Sequence, residues 1–416
     1  MLDQSLRDRL LAWRDLYVQA NRGTLEWMLD RPPLQGVFLN TKFNHITHQD
    51  FQRSDGWRGP QIILGWIQGR GLEALVTHAA FFDHHDPALA QRIDDAGRRL
   101  YQALSQLFLR AERGFFAYDQ NLRPVFPDKD GVVHPQICDV DVTTFSDIFI
   151  VKGLMAAACR YQANDLPLYE PYWQRIIDQI KAHRFIRNER QVLSVEALSQ
   201  EPKDYSPKMI MISGAALLKR LGLEAQSAFG LDFIDDLLRH YIKHSAFIDA
   251  PIMTDEQNGI LCNPGHAIEF SGFSLDYLAS EAPSERHSTL VQLLANHFKL
   301  GFEEPGILLK VNGETGERLS PYFPWWPLPE TIRAVSLAYA SRQDEPLLAI
   351  WERAHQAFFK NFWQGTPAIA TQTRTKQGPV DFVPSTSDLD PGYHTGLSLL
   401  VAIEAIDQIL TNRASS

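Results

Sequence analysis

The chain has 416 residues, of which 44% are hydrophobic and 22% charged, with a formal net charge of −10. This composition is typical of a globular protein with a sizeable core and excludes a disordered chain. The acidic balance argues against a nucleic-acid partner, because such proteins usually carry a basic surface patch. No uncharged apolar stretch reaches the length of about 18 residues that a membrane span requires. The three cysteines form no CxxC pair, which favours a reducing, cytoplasmic location.

Apolar residues recur at helical spacing along almost the whole chain. The predicted helices cover residues 4–29, 59–80, 87–113, 141–162, 168–186, 206–221, 229–245, 264–280, 286–300, 328–341, 346–362 and 391–411. Strand signals are confined to two short segments, 114–118 and 306–311. Because strands do not alternate with helices, a Rossmann or TIM-barrel plan is disfavoured. We predict an all-α (α/α)6 barrel of about twelve helices, with short β-hairpins at the active-site end and one domain over 1–416.

Two predicted helix starts share one design. The segment Asn263–His266 reads N-P-G-H, and the segment Asp390–His394 reads D-P-G-Y-H. In each, an Asn or Asp N-cap precedes a proline at the first helical position, and a histidine follows within the first turn. The positive end of the helix dipole favours a neutral imidazole there, which can accept a proton near pH 7. The pattern indicates two bases facing a pocket, and two ordinary helix starts with solvent-facing histidines remain the alternative.

Carboxylates and aromatic residues accompany these histidines. Glu269 follows His266 by three residues, so both lie on one helix face, where the carboxylate could orient the imidazole or bind a hydroxyl. The segment 324–330 reads P-W-W-P-L-P-E and supplies Trp325, Trp326 and Glu330. Indole faces stack on sugar C–H surfaces, and carboxylates accept hydroxyl hydrogens. The alternative is an aromatic core with a glutamate that complements the helix dipole.

A further motif, W-I-Q-G-R at Trp66–Arg70, interrupts an apolar helix. Gly69 destabilises such a helix by about 1 kcal/mol relative to alanine, so a glycine at this position requires an explanation. Close helix packing is one reason. An inward Arg70 that offers fixed donors to a substrate oxygen is another.

Together these motifs resemble the N-acylglucosamine 2-epimerase family of (α/α)6 barrels, in particular the branch of N-acetylglucosamine 2-epimerase, also called renin-binding protein. The family patterns NPGHxxE and WxQGR match residues 263–269 and 66–70, and WWPxxEA matches 325–330 with Thr331 in place of the alanine. The family ends on a G-x-F-H-V-P-R stretch, to which Gly392-Tyr393-His394 corresponds. The chain departs from the family at Phe270-Ser271-Gly272-Phe273, where A-G-W-F is usual, and at Thr395-Gly396-Leu397, where V-P-R is usual. It has P-K-M-I-M at 207–211 where the isomerase and cellobiose-epimerase branches have a His-x-His motif.

The resemblance implies a sugar 2-epimerase that interconverts N-acetylglucosamine-type and N-acetylmannosamine-type aldoses. His266 and His394 would be the catalytic acid–base pair at C2, and Arg70 would stabilise the enolate-like oxygen or hold the sugar. The substrate-binding residues expected are Arg70, Glu269, Glu330, Trp325, Trp326, Trp66 and Tyr393. The family reaction needs no metal or redox cofactor, and the family analogy allows ATP as an activator. The expected partner is a small-molecule sugar, with no nucleic acid and no membrane, and the expected assembly is a homodimer.

The sequence is also compatible with three alternatives. The same histidine pair would serve an aldose–ketose isomerase, or a 2-epimerase of unsubstituted or disaccharide sugars of the mannose or cellobiose type. A catalytically silent binding protein on the same barrel is a second alternative. A glycoside hydrolase is a third, and it would need a carboxylate pair, for which Asp139 and Asp141 are the candidates.

Overall fold

The computed structural model describes residues 3–382 and 386–412, and most of these residues lie in helices. The helices are α1 (Gln4–Leu29), α2 (Gly65–His85), α3 (Pro87–Ala111), α4 (Phe145–Tyr161), α5 (Leu166–Lys181), α6 (Val195–Ser199), α7 (Ser206–Arg220), α8 (Glu224–Ser227), α9 (Phe229–His240), α10 (Pro264–Tyr277), α11 (Glu285–Gly301), α12 (Pro327–Arg342), α13 (Glu345–Asn361) and α14 (Ser398–Asn412). Among these fourteen α-helices of the described residues, α6 and α8 were not predicted from the periodicity, and both are short.

The strands of the described residues are two to four residues long and pair into small antiparallel sheets. They are β1 (Phe43–Asn44), β2 (Gln49–Asp50), β3 (Ile63–Leu64), β4 (Ala117–Tyr118), β5 (Pro124–Pro127), β6 (Val133–Pro135), β7 (Ile242–Ser245), β8 (Ala250–Met253), β9 (Leu261–Cys262), β10 (Phe302–Glu303), β11 (Gly306–Ile307), β12 (Val311–Asn312), β13 (Phe323–Pro324), β14 (Thr373–Thr375) and β15 (Gly378–Pro379). Three of them lead into helices that carry predicted site residues: β3 precedes α2, β9 precedes α10, and β13 precedes α12.

The chain divides into two compact units, each built from segments that are distant in sequence. Within the described residues, unit 1 comprises 3–24, 230–382 and 394–412, and unit 2 comprises 25–229 and 386–393. The expectation of one domain over 1–416 stays a prediction. No helix among the described residues combines the length and the apolar character that a bilayer span requires.

Each unit is built from packed pairs of helices. In unit 1, α10 packs against α11 and α12, and α12 also packs against α13 and α14. In unit 2, α2 packs against α3 and α4, and α4 also packs against α5 and α7. The helices α2, α4, α10 and α12 are buried around most of their circumference, whereas α3, α5 and α13 bury one face. In the pairs α2–α3, α4–α5 and α12–α13, a helix that is buried on most sides therefore packs against an amphipathic one.

Two predicted helix starts are wrong. The helix predicted from residue 59 begins at Gly65, because Ile63 and Leu64 form strand β3. The helix predicted from residue 391 begins at Ser398 and follows a single π-helical turn, Tyr393–Leu397. Gly392 has φ of +81°, a left-handed conformation that cannot continue an α-helix and that glycine adopts most readily.

Helices α2 and α4 of unit 2 approach each other almost backbone to backbone. A Cβ atom on Gly153 would lie 2.6 Å from the carbonyl oxygen of Gly69, and a Cβ atom on Gly69 would lie 2.7 Å from the amide nitrogen of Ile150. Close packing therefore accounts for the glycine within the W-I-Q-G-R motif.

This packing predicts the effect of a Gly153→Ala substitution. We expect the free energy of unfolding to fall by about 1–3 kcal/mol, because the added methyl group forces the two helix backbones apart. Urea denaturation measures this as a lower midpoint at constant m value. Arg99→Ala, an exposed position on α3, is the control and should leave the midpoint unchanged. An unchanged midpoint for Gly153→Ala would contradict the close approach of α2 and α4.

Candidate active site

The first site element is the start of helix α10 in unit 1. The side-chain oxygen of Asn263 accepts a hydrogen bond from the backbone N–H of His266 at 3.2 Å, and Pro264 is the first helical residue. The predicted Asn N-cap with proline at the first helical position is therefore confirmed. This cap fixes the backbone of His266, whose side chain is half-buried.

Gly265 lets the start of α10 lie directly against the start of α12. A Cβ atom at this position would come within 2.7 Å of both Trp326 and Pro327. As a result, the imidazole of His266 packs on the indole of Trp326, with ring centroids 5.2 Å apart and planes inclined by 31°.

The second histidine contacts the same indole. The ring of His394 lies 5.8 Å from that of Trp326 at an interplanar angle of 37°. Trp325 approaches His394 edge-on, with ring centroids 6.1 Å apart. The two predicted bases lie 128 positions apart in the chain, and their imidazole rings both contact the indole of Trp326.

Two buried carboxylates face His394. The imidazole Nδ1 lies 3.0 Å from Oε1 of Glu330 and 3.8 Å from Oε1 of Glu269. The other oxygen of Glu330 lies 3.3 Å from Nη1 of Arg333, one helical turn further along α12. Glu269 follows His266 by three residues on α10, and its carboxylate also approaches His394. We call His266, His394, Glu269, Glu330 and Trp326 the histidine cluster.

The hydrogen bond to Glu330 assigns the tautomer of His394. A carboxylate accepts hydrogen bonds, so Nδ1 carries the proton and donates it to Oε1. The lone pair of the neutral ring then lies on Nε2, which can act as a base. The negative charge of Glu330 stabilises the imidazolium that forms when Nε2 takes up a proton.

The same cluster has the composition of a metal site. One ligand atom from each of Glu269, Glu330 and His394 lies within 4.8 Å of the other two. Two carboxylate oxygens and one imidazole nitrogen suit Zn²⁺ or Mn²⁺. These three residues could hold such an ion, and the expectation of a reaction that needs no metal stays a prediction.

Trp325 offers a hydrogen-bond donor inside unit 1. Its indole is 6% exposed, and its Nε1 has no hydrogen-bond partner among the residues the structure describes. Buried indole N–H groups usually have an acceptor. A hydroxyl oxygen of a ligand is an acceptor of the right kind.

The remaining predicted site residues lie together in unit 2. The guanidinium carbon of Arg70 lies 5.1 Å from the ring centroid of Trp66, 4.2 Å from that of Phe149 and 5.1 Å from that of Tyr393. Three aromatic rings therefore surround a planar cation, an arrangement stabilised by cation–π attraction. We call Arg70, Trp66, Phe149 and Tyr393 the arginine cluster. Phe149 is the member that was not predicted from the sequence.

A buried ion pair adjoins the arginine cluster. The ammonium of Lys152, on α4, lies 2.9 Å from Oε2 of Glu73 and donates hydrogen bonds to Ser213 Oγ at 3.0 Å and to Tyr393 Oη at 2.6 Å. Burial by itself lowers the pKa of Lys152, but the negative charge of Glu73 and the Tyr393 oxygen outweigh it and raise the pKa above the usual lysine value. Burial raises the pKa of the Tyr393 phenol, and the charge of Glu73 acts in the same direction. Lys152 is therefore charged and Tyr393 neutral.

No sequence motif predicted Glu73, Lys152 or Ser213 as site residues. Glu73 and Lys152 are single charged residues inside the apolar stretches G-L-E-A-L and I-V-K-G-L. A lone charge within an apolar helix is a signal for a buried pair, because such a charge needs a partner. The identity of the partner depends on which helices pack together.

The glycoside-hydrolase alternative gains no support from Asp141. Its carboxylate lies 2.6 Å from a guanidinium nitrogen of Arg175, and the hydrogen bond from Arg175 holds the pKa of Asp141 below its usual value. A glycosidase general acid needs a raised pKa.

Comparisons with known proteins indicate the fold class. No protein-family model matches the chain, and no curated protein sequence matches it either. The chain is similar to the solved structure of a cellobiose 2-epimerase from Spirochaeta thermophila, with a TM-score of 0.71 at 15% identity over 98% of this chain and 100% of that one. It is similar to a D-mannose isomerase, with a TM-score of 0.70 at 10% identity over 96% and 98% of the two chains. A sugar epimerase from a ruminal bacterium matches with a TM-score of 0.59 at 13% identity over 88% and 94%. The predicted (α/α)6 fold class is confirmed.

Proposed function

We propose that this protein is a sugar 2-epimerase that inverts C2 of an open-chain aldose by proton transfer. The observation that carries the proposal is the meeting of His266 and His394 on Trp326, with His394 hydrogen-bonded to the buried Glu330. The fold shared with a cellobiose 2-epimerase, a D-mannose isomerase and a sugar epimerase supports the same class of reaction.

The chemistry requires two acid–base groups. The aldehyde at C1 acidifies the C2 proton, because the charge left by its removal spreads onto O1. Inversion requires that the proton leave one face of C2 and that another return to the opposite face. His394, with its lone pair on Nε2, serves one face, and His266 serves the other. Each histidine ends the cycle in the state in which the other began, so the reaction runs in both directions.

Glu330, Glu269 and Trp325 support this proton transfer. Glu330 orients His394 and stabilises its imidazolium, as carboxylates do for catalytic histidines. Glu269, buried 3.8 Å from His394, adds a second negative charge for the imidazolium or an acceptor for a sugar hydroxyl. The buried Nε1 of Trp325 donates to a sugar oxygen. The predicted roles of Arg70, Trp66 and Tyr393 in sugar binding stay part of the proposal.

We propose an N-acetylhexosamine as the substrate, interconverted between N-acetylmannosamine and N-acetylglucosamine types. The support is the motif resemblance, including P-K-M-I-M at 207–211 in the place of a His-x-His motif. Aldose–ketose isomerisation is the second candidate, because the fold is also that of a D-mannose isomerase. An isomerase returns the proton to C1 rather than to C2.

Proton NMR in D2O tests the proposed activity. The protein, dialysed against EDTA because the proposed reaction needs no metal, is incubated with N-acetylmannosamine, mannose, glucose and cellobiose, with and without ATP. We expect deuterium at C2 and formation of the C2 epimer of N-acetylmannosamine. Deuterium at C1 of a ketose product would instead establish the isomerase. Absence of exchange with every sugar would contradict both enzymes and favour the silent binding protein.

Substitutions in the histidine cluster test the assigned roles. We expect His394→Ala to lower kcat by roughly 10²-fold or more, because it removes a general base. Glu330→Gln keeps an acceptor for Nδ1 but removes the charge that stabilises the imidazolium, so kcat should fall by about tenfold to 10²-fold while KM changes little.

Two exposed positions of unit 1 provide the matched controls. His240 lies on α9 beside Asp236, and Glu317 is exposed in the loop after β12. His240→Ala and Glu317→Gln should keep the wild-type turnover. Full turnover by His394→Ala would remove His394 from the mechanism.

A further inference from the structure

Unit 2 contains a buried ammonium, that of Lys152. Its side chain is fully buried, and Glu73 is the carboxylate beside it, at 2.9 Å. Taking both charges out of water is costly, and apolar residues of similar volume often serve stability equally well. The pair thus calls for a role other than stability.

The hydrogen bonds of Lys152 define what it can do. The hydroxyl of Ser213 donates to the carbonyl oxygen of Ile210 at 2.7 Å, so its oxygen is left to accept from Lys152. The three N–H groups of an ammonium thus match three oxygens, those of Glu73, Ser213 and Tyr393. A charged amine so occupied has neither a lone pair for a base or nucleophile nor a spare donor for a ligand. Its role must pass through one of these three oxygens.

Tyr393 is the one of the three that belongs to the arginine cluster. Its ring is one of the three around Arg70, and it meets Phe149 edge-on at 5.9 Å. Gly392, with φ of +81°, precedes it, and the N–H of Tyr393 donates to Asp390 at 2.9 Å. The hydrogen bond from Lys152 therefore holds the hydroxyl end of a ring whose face lies beside the guanidinium.

A second buried lysine holds the same segment a few residues earlier. Lys42 donates to Oδ1 of Asp388 at 2.9 Å, and the hydroxyl of Thr41 donates to Oδ2 at 2.9 Å. The N–H of Leu389 donates to the carbonyl oxygen of Thr41 at 3.0 Å. The segment 388–393 is thus fixed at both ends by a buried ammonium.

We propose that Lys152 is a positioning residue for the sugar reaction. Its hydrogen bond to the Tyr393 hydroxyl fixes the ring of Tyr393, and this ring in turn orients Arg70 within the arginine cluster. This inference rests on the proposed function, in which Arg70 and Tyr393 bind the sugar. It assigns a purpose to the buried Lys152–Glu73 pair that stability does not supply.

A double-mutant cycle tests the proposal. One arm is Tyr393→Phe, which removes only the hydroxyl oxygen. The other is Lys152→Met combined with Glu73→Gln, so that no unpaired charge remains buried. We expect each arm to lower kcat/KM by about tenfold and the combined variant to be no worse than either arm, because both remove the same contact. A combined loss equal to the product of the two single losses would overturn the proposal.

A matched control on the same helix separates positioning from general loss of structure. Arg160, also on α4, forms ion pairs with Asp83 and Asp94 at 2.9 and 2.6 Å. Arg160→Met should lower the urea midpoint but keep the wild-type kcat/KM. A loss of kcat/KM as large as that of the Lys152 arm would show that the effect is only structural, and would overturn the proposal.

Failure of the proposed function is distinguishable from failure of this inference. If the wild-type protein exchanges no sugar proton, the proposed function fails, and the same cycle is measured through urea midpoints. Non-additive midpoint shifts would then sustain the positioning of Tyr393 by Lys152. Additive shifts would overturn it.

Discussion

The hydrogen bond from Nδ1 of His394 to the fully buried carboxylate of Glu330 is the interaction on which the candidate site depends. A buried carboxylate loses several kcal/mol of hydration, so it persists only with partners on its oxygens. His394 occupies one oxygen, and Arg333 lies beside the other. The bond thereby fixes the proton on Nδ1 and leaves the lone pair on Nε2, the atom that acts as the base in the proposed reaction. In the proposed mechanism, the contact that stabilises the buried carboxylate therefore also sets the tautomer of the base.

Unit 2 also contains a buried charge that needs partners, but this charge is positive. The ammonium of Lys152 is buried beside the carboxylate of Glu73, and it also donates hydrogen bonds to Ser213 and Tyr393. The close approach of α2 and α4 at Gly69 and Gly153 brings the two charges within reach of each other. The glycine of the W-I-Q-G-R motif is therefore explained by helix packing, while the arginine that follows it lies among three aromatic rings.

Local sequence signals predicted the parts of the molecule that local forces determine. The long helices follow from apolar periodicity, and the Asn263 cap follows from one polar residue before a proline. The partnership of Glu330 with His394 spans 64 positions, and those of Lys152 span 79 with Glu73 and 241 with Tyr393, so only tertiary packing decides them. The start predicted for the last helix was wrong because Gly392 takes a left-handed conformation, which a proline beside it does not reveal.

The central claim is that His266 and His394 serve opposite faces of C2, and epimer-resolved deuterium exchange measures it most directly. His266→Ala and His394→Ala are each incubated in D2O with N-acetylmannosamine and, separately, with N-acetylglucosamine, and exchange at C2 is followed by proton NMR. We predict that neither variant inverts C2, and that each variant still exchanges the C2 proton of one epimer only, which differs between the two variants. Inversion at the wild-type rate by either variant would contradict it.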